Sequence, residues 1–237
     1  MNPILEMLVG RHYSTDEEDP VAVRAMPVVL RIERTAPPCR TDVLEAAAAA
    51  AIAVCLDPRA EPGGEWHEEV AAWVRGRIRK VSRRARGAHW EAVQALPGIT
   101  VEVGGAQVRA LVPGRVGQAP KELTRLQISG SELPEDEPGP VPPHARLLWL
   151  NPRVEMTAGK AAAQVGHASM LLAPTLSEEE LKEWAAAEYR CAVRTPAPAE
   201  WDALTARPDA VVVRDAGYTE VAPGTATVAV APRTPER

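Results

Sequence analysis

The alternation of apolar and polar positions cuts the chain into short elements. Arg146–Leu150 is an apolar run of strand length. Thr157 is placed to cap a helix from Ala158 to about Leu172, because its hydroxyl can accept an orphan first-turn amide. Pro174 ends that helix. Ser177 with Glu180 three residues later forms a capping box that opens a second helix over Glu178–Ala187. Arg190–Arg194 and Ala210–Arg214 are β-type runs, and Pro223–Gly224 turns into another over Thr225–Ala231. Upstream, the apolar run Val28–Ile32 and the Ala-rich stretch Val43–Leu56 begin the same series. Each half reads as strand, helix, helix, strand, short turn-rich segment, strand, strand. Strands mixed with crossover helices predict an α/β fold, a small mixed sheet with helices packed on it in each half.

The two halves also align with each other. Glu68–Val103 set beside Glu179–Arg214 needs no gap: Trp73 faces Trp184, Arg79 faces Arg190, Arg83 faces Arg194 and Trp90 faces Trp201. Val28–Ile32 and Val43–Leu56 parallel Leu147–Leu150 and Ala161–Leu172, and Val108–Pro113 parallels Thr227–Pro232 after a short deletion in the first half. A period this long predicts two tandem domains, not a solenoid. The predicted organisation is an acidic arm (1–25), a first copy (26–117), an acidic Pro-rich linker (118–143) and a second copy (144–237), the copies packing on each other as a pseudo-dimer in a monomeric chain. Ser129–Pro143 has five prolines, which favour extended backbone, and the arm is expected to be loosely attached.

Composition narrows the setting. The 237 residues are 46% hydrophobic and 25% charged, as for a packed globular protein, and without phenylalanine the four paired tryptophans are the expected core anchors. Cys39, Cys55 and Cys191 are odd in number and lack a CxxC spacing, which argues against a disulfide framework or a metal site and suits a reducing cytoplasm. The longest apolar run, Ala46–Leu56, is too short to span a bilayer, and no membrane partner is expected. The net charge of −5 hides a basic run in which Arg75, Arg77, Arg79, Lys80, Arg83, Arg84 and Arg86 fall close together. Such a run suits RNA phosphate, and binding through it would weaken steeply with salt.

The second half carries the candidate chemistry. On the helix Ala158–Leu172, Lys160, Gln164 and His167 stand at i, i+4 and i+7, within ~60° of one another on one face. An ammonium in a helix's first turn does not help the helix, so an anion outside it is the natural reason for Lys160, with the first-turn amides as further donors. His167 reads as a packed or hydrogen-bonded histidine, and Gln164 similarly. Asp215-Ala-Gly-Tyr-Thr219 ends a Val-rich strand and is followed by Ala222-Pro-Gly-Thr-Ala-Thr227, a carboxylate and hydroxyls in a Gly-rich turn at a strand end. Lys160 and Asp215 can stabilise an oxyanion and orient or deprotonate a water, and Thr219 and Thr227 can hydrogen-bond water or substrate. The absence of a Ser-His-Asp order or a metal cluster favours direct attack by water.

At these residues the sequence resembles the second family of peptidyl-tRNA hydrolases. The family has a short strand, a helix opening with a Met-x-x-Gly-Lys element, and a closing Asp-Ala-Gly-x-Thr…Pro-Gly-Thr-x-Thr stretch; Gly159-Lys-Ala-Ala-Ala-Gln-Val-Gly-His-Ala168, Asp215–Thr219 and Pro223–Thr227 match in order. The resemblance covers residues 144–237 and implies cleavage of the ester joining peptide to tRNA, with no cofactor, by Lys160, Asp215, Thr219 and Thr227. Asn151, Glu155, Ala158 and Tyr218 depart from the family pattern. In the first copy Lys160 falls opposite Thr41, Asp215 opposite Gly104 and Thr227 opposite Val108, so that copy is expected to be non-catalytic and free to take over phosphate contact through its basic run. The leading expectation is a cytoplasmic hydrolase of peptidyl-tRNA with tRNA, not DNA, as partner. The alternatives are an idle RNA- or ribosome-binding module on the same fold, and a hydrolase of another small ester or amide.

Overall fold

The computed structural model describes residues 2–10, 19, 21–217 and 220–232. In chain order the first half contains α1 (Pro3–Leu8), β1 (Arg24–Arg31), α2 (Arg40–Leu56), α3 (His67–Arg75), β2 (Lys80–Ala85), α4 (Gly87–Gln94), β3 (Gly98–Val103), β4 (Ala106–Leu111), β5 (Gly114–Arg115) and α5 (Lys121–Thr124). The second contains β6 (Arg146–Leu150), α6 (Ala158–Leu172), α7 (Glu178–Ala186), β7 (Cys191–Arg194), α8 (Pro198–Thr205), β8 (Val211–Arg214) and β9 (Ala226–Val230).

These elements build two mixed sheets. One has the order β2-β1-β4-β3, with β5 added beside the start of β1; the other has the order β7-β6-β9-β8. In each, the first two strands pair in parallel through a helical crossover and the remaining pairs are antiparallel. Trp73 and Trp184 are both buried, and their indole N–H groups donate to the carbonyls of Arg79 (2.9 Å) and Arg190 (2.8 Å). Each bond ties a helix to the start of the following strand and satisfies a buried indole N–H.

Between the sheets lie α2 and α6. Both are apolar over most of their surface, because most of it faces other elements; α6 keeps one polar face. α2 covers β3 and β4 and also meets α6 and β7; α6 covers its own sheet and also meets β2. Small residues meet there, Gly166 and Ser169 of α6 lying against Ala51 and Ala48 of α2. A Cβ on Gly166 would lie 3.1 Å from the Ala51 methyl. Ser169 Oγ donates to Ala48 O (2.8 Å), a polar tie between the two helices. One continuous apolar core therefore runs through both halves, with a smaller cluster around Trp90, Val93 and Leu111 on the outer face of the first sheet.

The arm, expected to be loosely attached, is docked in part, and so is the linker. Within the arm, α1 buries Ile4, Leu5 and Leu8 completely against α3 and the turn Ala173–Thr175. In the linker, Asp136 accepts from Thr41 N and Oγ1 at the start of α2, Leu133 is buried, and Ser131 meets the start of α6. The segments expected to be turn-rich contain the short helices α4 and α8. α8 begins with Pro198 at its first position, where a missing N–H costs nothing, so a proline that reads as a turn is here a helix start. No helix among the described residues is long and apolar enough to cross a membrane.

Candidate active site

Helix α6 presents its polar face at the boundary between the halves. Its start is fixed on all sides: Thr157 Oγ1 accepts from Lys160 N (3.1 Å), while Ser131 O and Oγ accept from Ala158 N and Gly159 N. Glu220 accepts both Thr157 N (2.9 Å) and Thr157 Oγ1 (2.7 Å). The expectation that the first-turn amides hold an oxyanion or a phosphate is corrected here, because the three amides of Ala158, Gly159 and Lys160 already serve protein oxygens.

β8 delivers the opposing carboxylate. Asp215 follows its last residue, and Gly217 turns the chain at φ 81°, where a Cβ would collide with the Pro223 ring. The turn lets Gly217 N donate to Asp215 Oδ1 (2.7 Å). Asp215 Oδ2 accepts from Lys160 Nζ (2.5 Å) and Gln164 Nε2 (2.8 Å). Thr227 Oγ1, fully buried on β9, donates to Gln164 Oε1 (2.6 Å). A directed series thus runs from Thr227 through Gln164 to Asp215 and Lys160, whose side chains keep only 8% and 10% of their surface. Thr227 was expected to touch water or substrate; the structure instead buries it behind Gln164. Thr219 lies outside the described residues.

This series opens on a cleft of about 750 Å³. One wall is α6, with Lys160, Gln164 and His167, joined by Asp215. The other wall is the edge of the first sheet, from Arg77 to Ser82. Lys80 is buried there and its Nζ stands 2.5 Å from His167 Nδ1. Burial pulls the Lys80 amine down to about 7, and burial with the nearby Lys80 and Lys160 charges holds His167 well below the usual histidine range. Ser82 Oγ donates to Gly159 O (2.6 Å), a second tie from β2 to α6. Apolar Ile78, Ile128, Leu171 and Val212 complete the lining.

The basic run does not form one face, because successive strand residues point to opposite sides. Arg75 is exposed at the end of α3; Arg77, Arg79 and Lys80 line the cleft. Arg83 donates to Leu126 O (2.9 Å), and burial lowers its guanidinium below the ordinary range. Arg84 bonds Gln127. Arg84 and Arg86, with Arg34, His89 and Arg125, line a separate hollow of about 270 Å³. Sequence reasoning missed that Lys80 and Ser82 belong to the candidate site, and missed Ser131 and Glu220 as supports of α6. Glu220 directly follows the Asp215–Thr219 element, which was a signal; nothing local marked Ser131.

No curated protein and no solved structure matches the chain. Residues 146–237, which contain Lys160, Gln164, Asp215 and Thr227, match the model of the family described as peptidyl-tRNA hydrolase PTH2.

Proposed function

We propose that the protein hydrolyses the ester of peptidyl-tRNA in the cleft between its halves. The observation that carries this reading is the Thr227–Gln164–Asp215–Lys160 series, which opens on the cleft from within the segment that matches the family model. Water adds to the ester carbonyl, the bond to the ribose oxygen breaks, and the proton released by water reaches that oxygen, giving a free peptide acid and tRNA. With its ammonium charge Lys160 stabilises the oxyanion that develops. Asp215 holds that ammonium and orients the water, Gln164 and Thr227 fix Asp215, and Thr219 is assigned the second hydroxyl of the site. Arg75, Arg77, Arg79, Lys80, Arg83, Arg84 and Arg86 are assigned to RNA phosphate as two groups, one at the cleft and one around Arg84 and Arg86.

The same reading takes the chain as an internal duplication, with 26–117 a non-catalytic copy of 144–237 packed on it as a pseudo-dimer. Its support is the shared strand order and the two equivalent indole bonds. The position opposite Gln164 is Glu45, which is buried and accepts from Val193 N (3.0 Å) and Arg194 Nη1 (2.7 Å). An ion pair therefore occupies the place in the first copy that the cleft occupies in the second.

The test is release of an N-blocked aminoacyl group from charged tRNA at low and moderate salt. Asp215→Asn is expected to lower turnover about a hundredfold or more, since it removes the charge that holds Lys160. Near-wild-type turnover in that variant would refute the assignment. The engagement of both Asp215 oxygens favours a second reading, an idle RNA-binding module, which predicts tRNA binding without turnover.

A further inference from the structure

The cleft holds a second basic centre that the hydrolytic series does not use. Lys160, Gln164 and His167 follow one another along α6, and His167 stands about 10 Å beyond Lys160 at ~1.5 Å rise per residue. Lys80 meets His167 there from the other half of the molecule, with its Nζ 2.5 Å from Nδ1. Its stem runs past Gly166, where a Cβ would lie 3.2 Å from Lys80 Cε, and its Nζ lies 5.2 Å from the centre of the Trp73 ring. A glycine on α6 and a tryptophan face on α3 thus form a fitted channel for this one side chain. No carboxylate pairs with Lys80 among the described residues. Arg77 and Arg79 line the same wall.

We infer that Lys80, supplied by the first half, binds a phosphodiester in the cleft, the one that lies a single ribose away from the ester presented to Lys160. The inference rests on the peptidyl-tRNA reading of the cleft and deepens it by assigning the first half a direct part in holding the substrate. A buried amine without a counter-ion is expensive to charge, and a singly charged diester entering beside it supplies that counter-ion. The imidazole accepts the amine's hydrogen bond in the empty cleft and keeps Nζ aimed inward.

The groups that face Lys80 decide the pH response. From α6 these are His167 and Lys160; from α2 the buried Cys55 thiol; from α3 only the Trp73 ring; from the far wall Arg214, Asp215 and Glu220. Asp215 is bonded to Lys160 and Gln164, and Glu220 to Thr157, and neither carboxylate bonds Lys80. Burial leaves the Lys80 amine near 7, so the empty cleft holds it partly neutral. An entering anion favours the ammonium and draws a proton from solvent. Binding is then nearly pH-independent below about 7 and weakens about tenfold per unit above it.

The test uses the full chain and the dinucleotide cytidylyl-adenosine, whose phosphodiester does not titrate near neutrality, with adenosine as the phosphate-free control. Calorimetry in buffers of different ionisation enthalpy at about pH 6 and about pH 8 reads affinity and proton uptake together. The dinucleotide is expected to bind about tenfold more weakly at the higher pH and to take up close to one proton there. Lys80→Met, which fills the same apolar channel, is expected to lose that pH dependence and about a hundredfold in affinity at the lower pH, while adenosine binds unchanged. Equal dinucleotide affinity in wild type and Lys80→Met overturns the inference, as does wild-type binding without proton uptake or no binding at all. Should the variant not fold, the wild-type proton uptake decides alone. A wild type that cleaves charged tRNA but fails these tests loses only the role of Lys80. One that passes them without turnover loses only the hydrolase reading.

Discussion

Thr227, Gln164 and Asp215 can be satisfied in one direction only. The threonine hydroxyl gives its proton to the amide oxygen, which leaves the amide nitrogen to face the carboxylate. Thr227→Val keeps the shape and removes the donor, stranding Gln164 Oε1 away from water. We expect a loss of about 1–3 kcal/mol in urea unfolding and a fall of roughly tenfold in kcat with KM little changed, since the damage reaches the substrate only through Asp215. Thr227→Ser should restore both. Lys80 makes a separate prediction. Its amine titrates near 7 when folded and near 10.5 when unfolded, so above about pH 7 the unfolded chain holds the extra proton. Raising the pH from there favours the fold by up to about 1.4 kcal/mol per unit. The gain should appear in urea unfolding of the wild type and vanish in Lys80→Met. Measurements belong below the ordinary cysteine range, because the buried Cys55 thiol, pushed up to about 12, opposes the trend above it. Lys160, Gln164 and Asp215 were legible in the sequence because helical spacing and a strand end are local signals. The Lys80–His167 pair joins residues 87 positions apart across two sheets, and no local pattern announces it.

At the scale of elements, α6 could be bounded from its own residues, Thr157 at one end and Pro174 beyond the other, and the structure places it at Ala158–Leu172. α4 and α8 were not legible. Each is only eight residues long, and a Gly87 at φ 47° or a Pro198 reads as a turn before it reads as a helix start. The linker shows a different limit. Its prolines announced extended backbone, but composition says nothing of where the side chains between them land. Asp136 lands on the first turn of α2 and Ser131 on that of α6, so one segment serves the starts of both central helices. Asp136→Ala is expected to cost about 1 kcal/mol in thermal or urea unfolding, as for the loss of a helix cap, and to leave turnover unchanged. A larger loss would mean that the linker holds the two halves together as well as capping a helix.

The whole molecule turns on the contact of α2 with α6. Small residues let the helices approach until a Cβ at Gly166 would sit 3.1 Å from Ala51 and 3.2 Å from Lys80. Gly166→Leu is therefore expected to cost about 1–3 kcal/mol by overpacking, and, because the displaced neighbour is Lys80, to weaken dinucleotide binding as well. Gly166→Ala should lie between the two in both readouts. Across this contact the molecule is uneven: Glu45 and Arg194 fill one flank, while a cleft opens on the other. In an assembly of two identical chains related by a two-fold axis, a substitution at the contact is made twice, and a lysine gained at one mouth is gained at both. A single polypeptide is under no such obligation. One flank can be sealed for rigidity while the other stays open for chemistry, and each is free to vary without altering its counterpart.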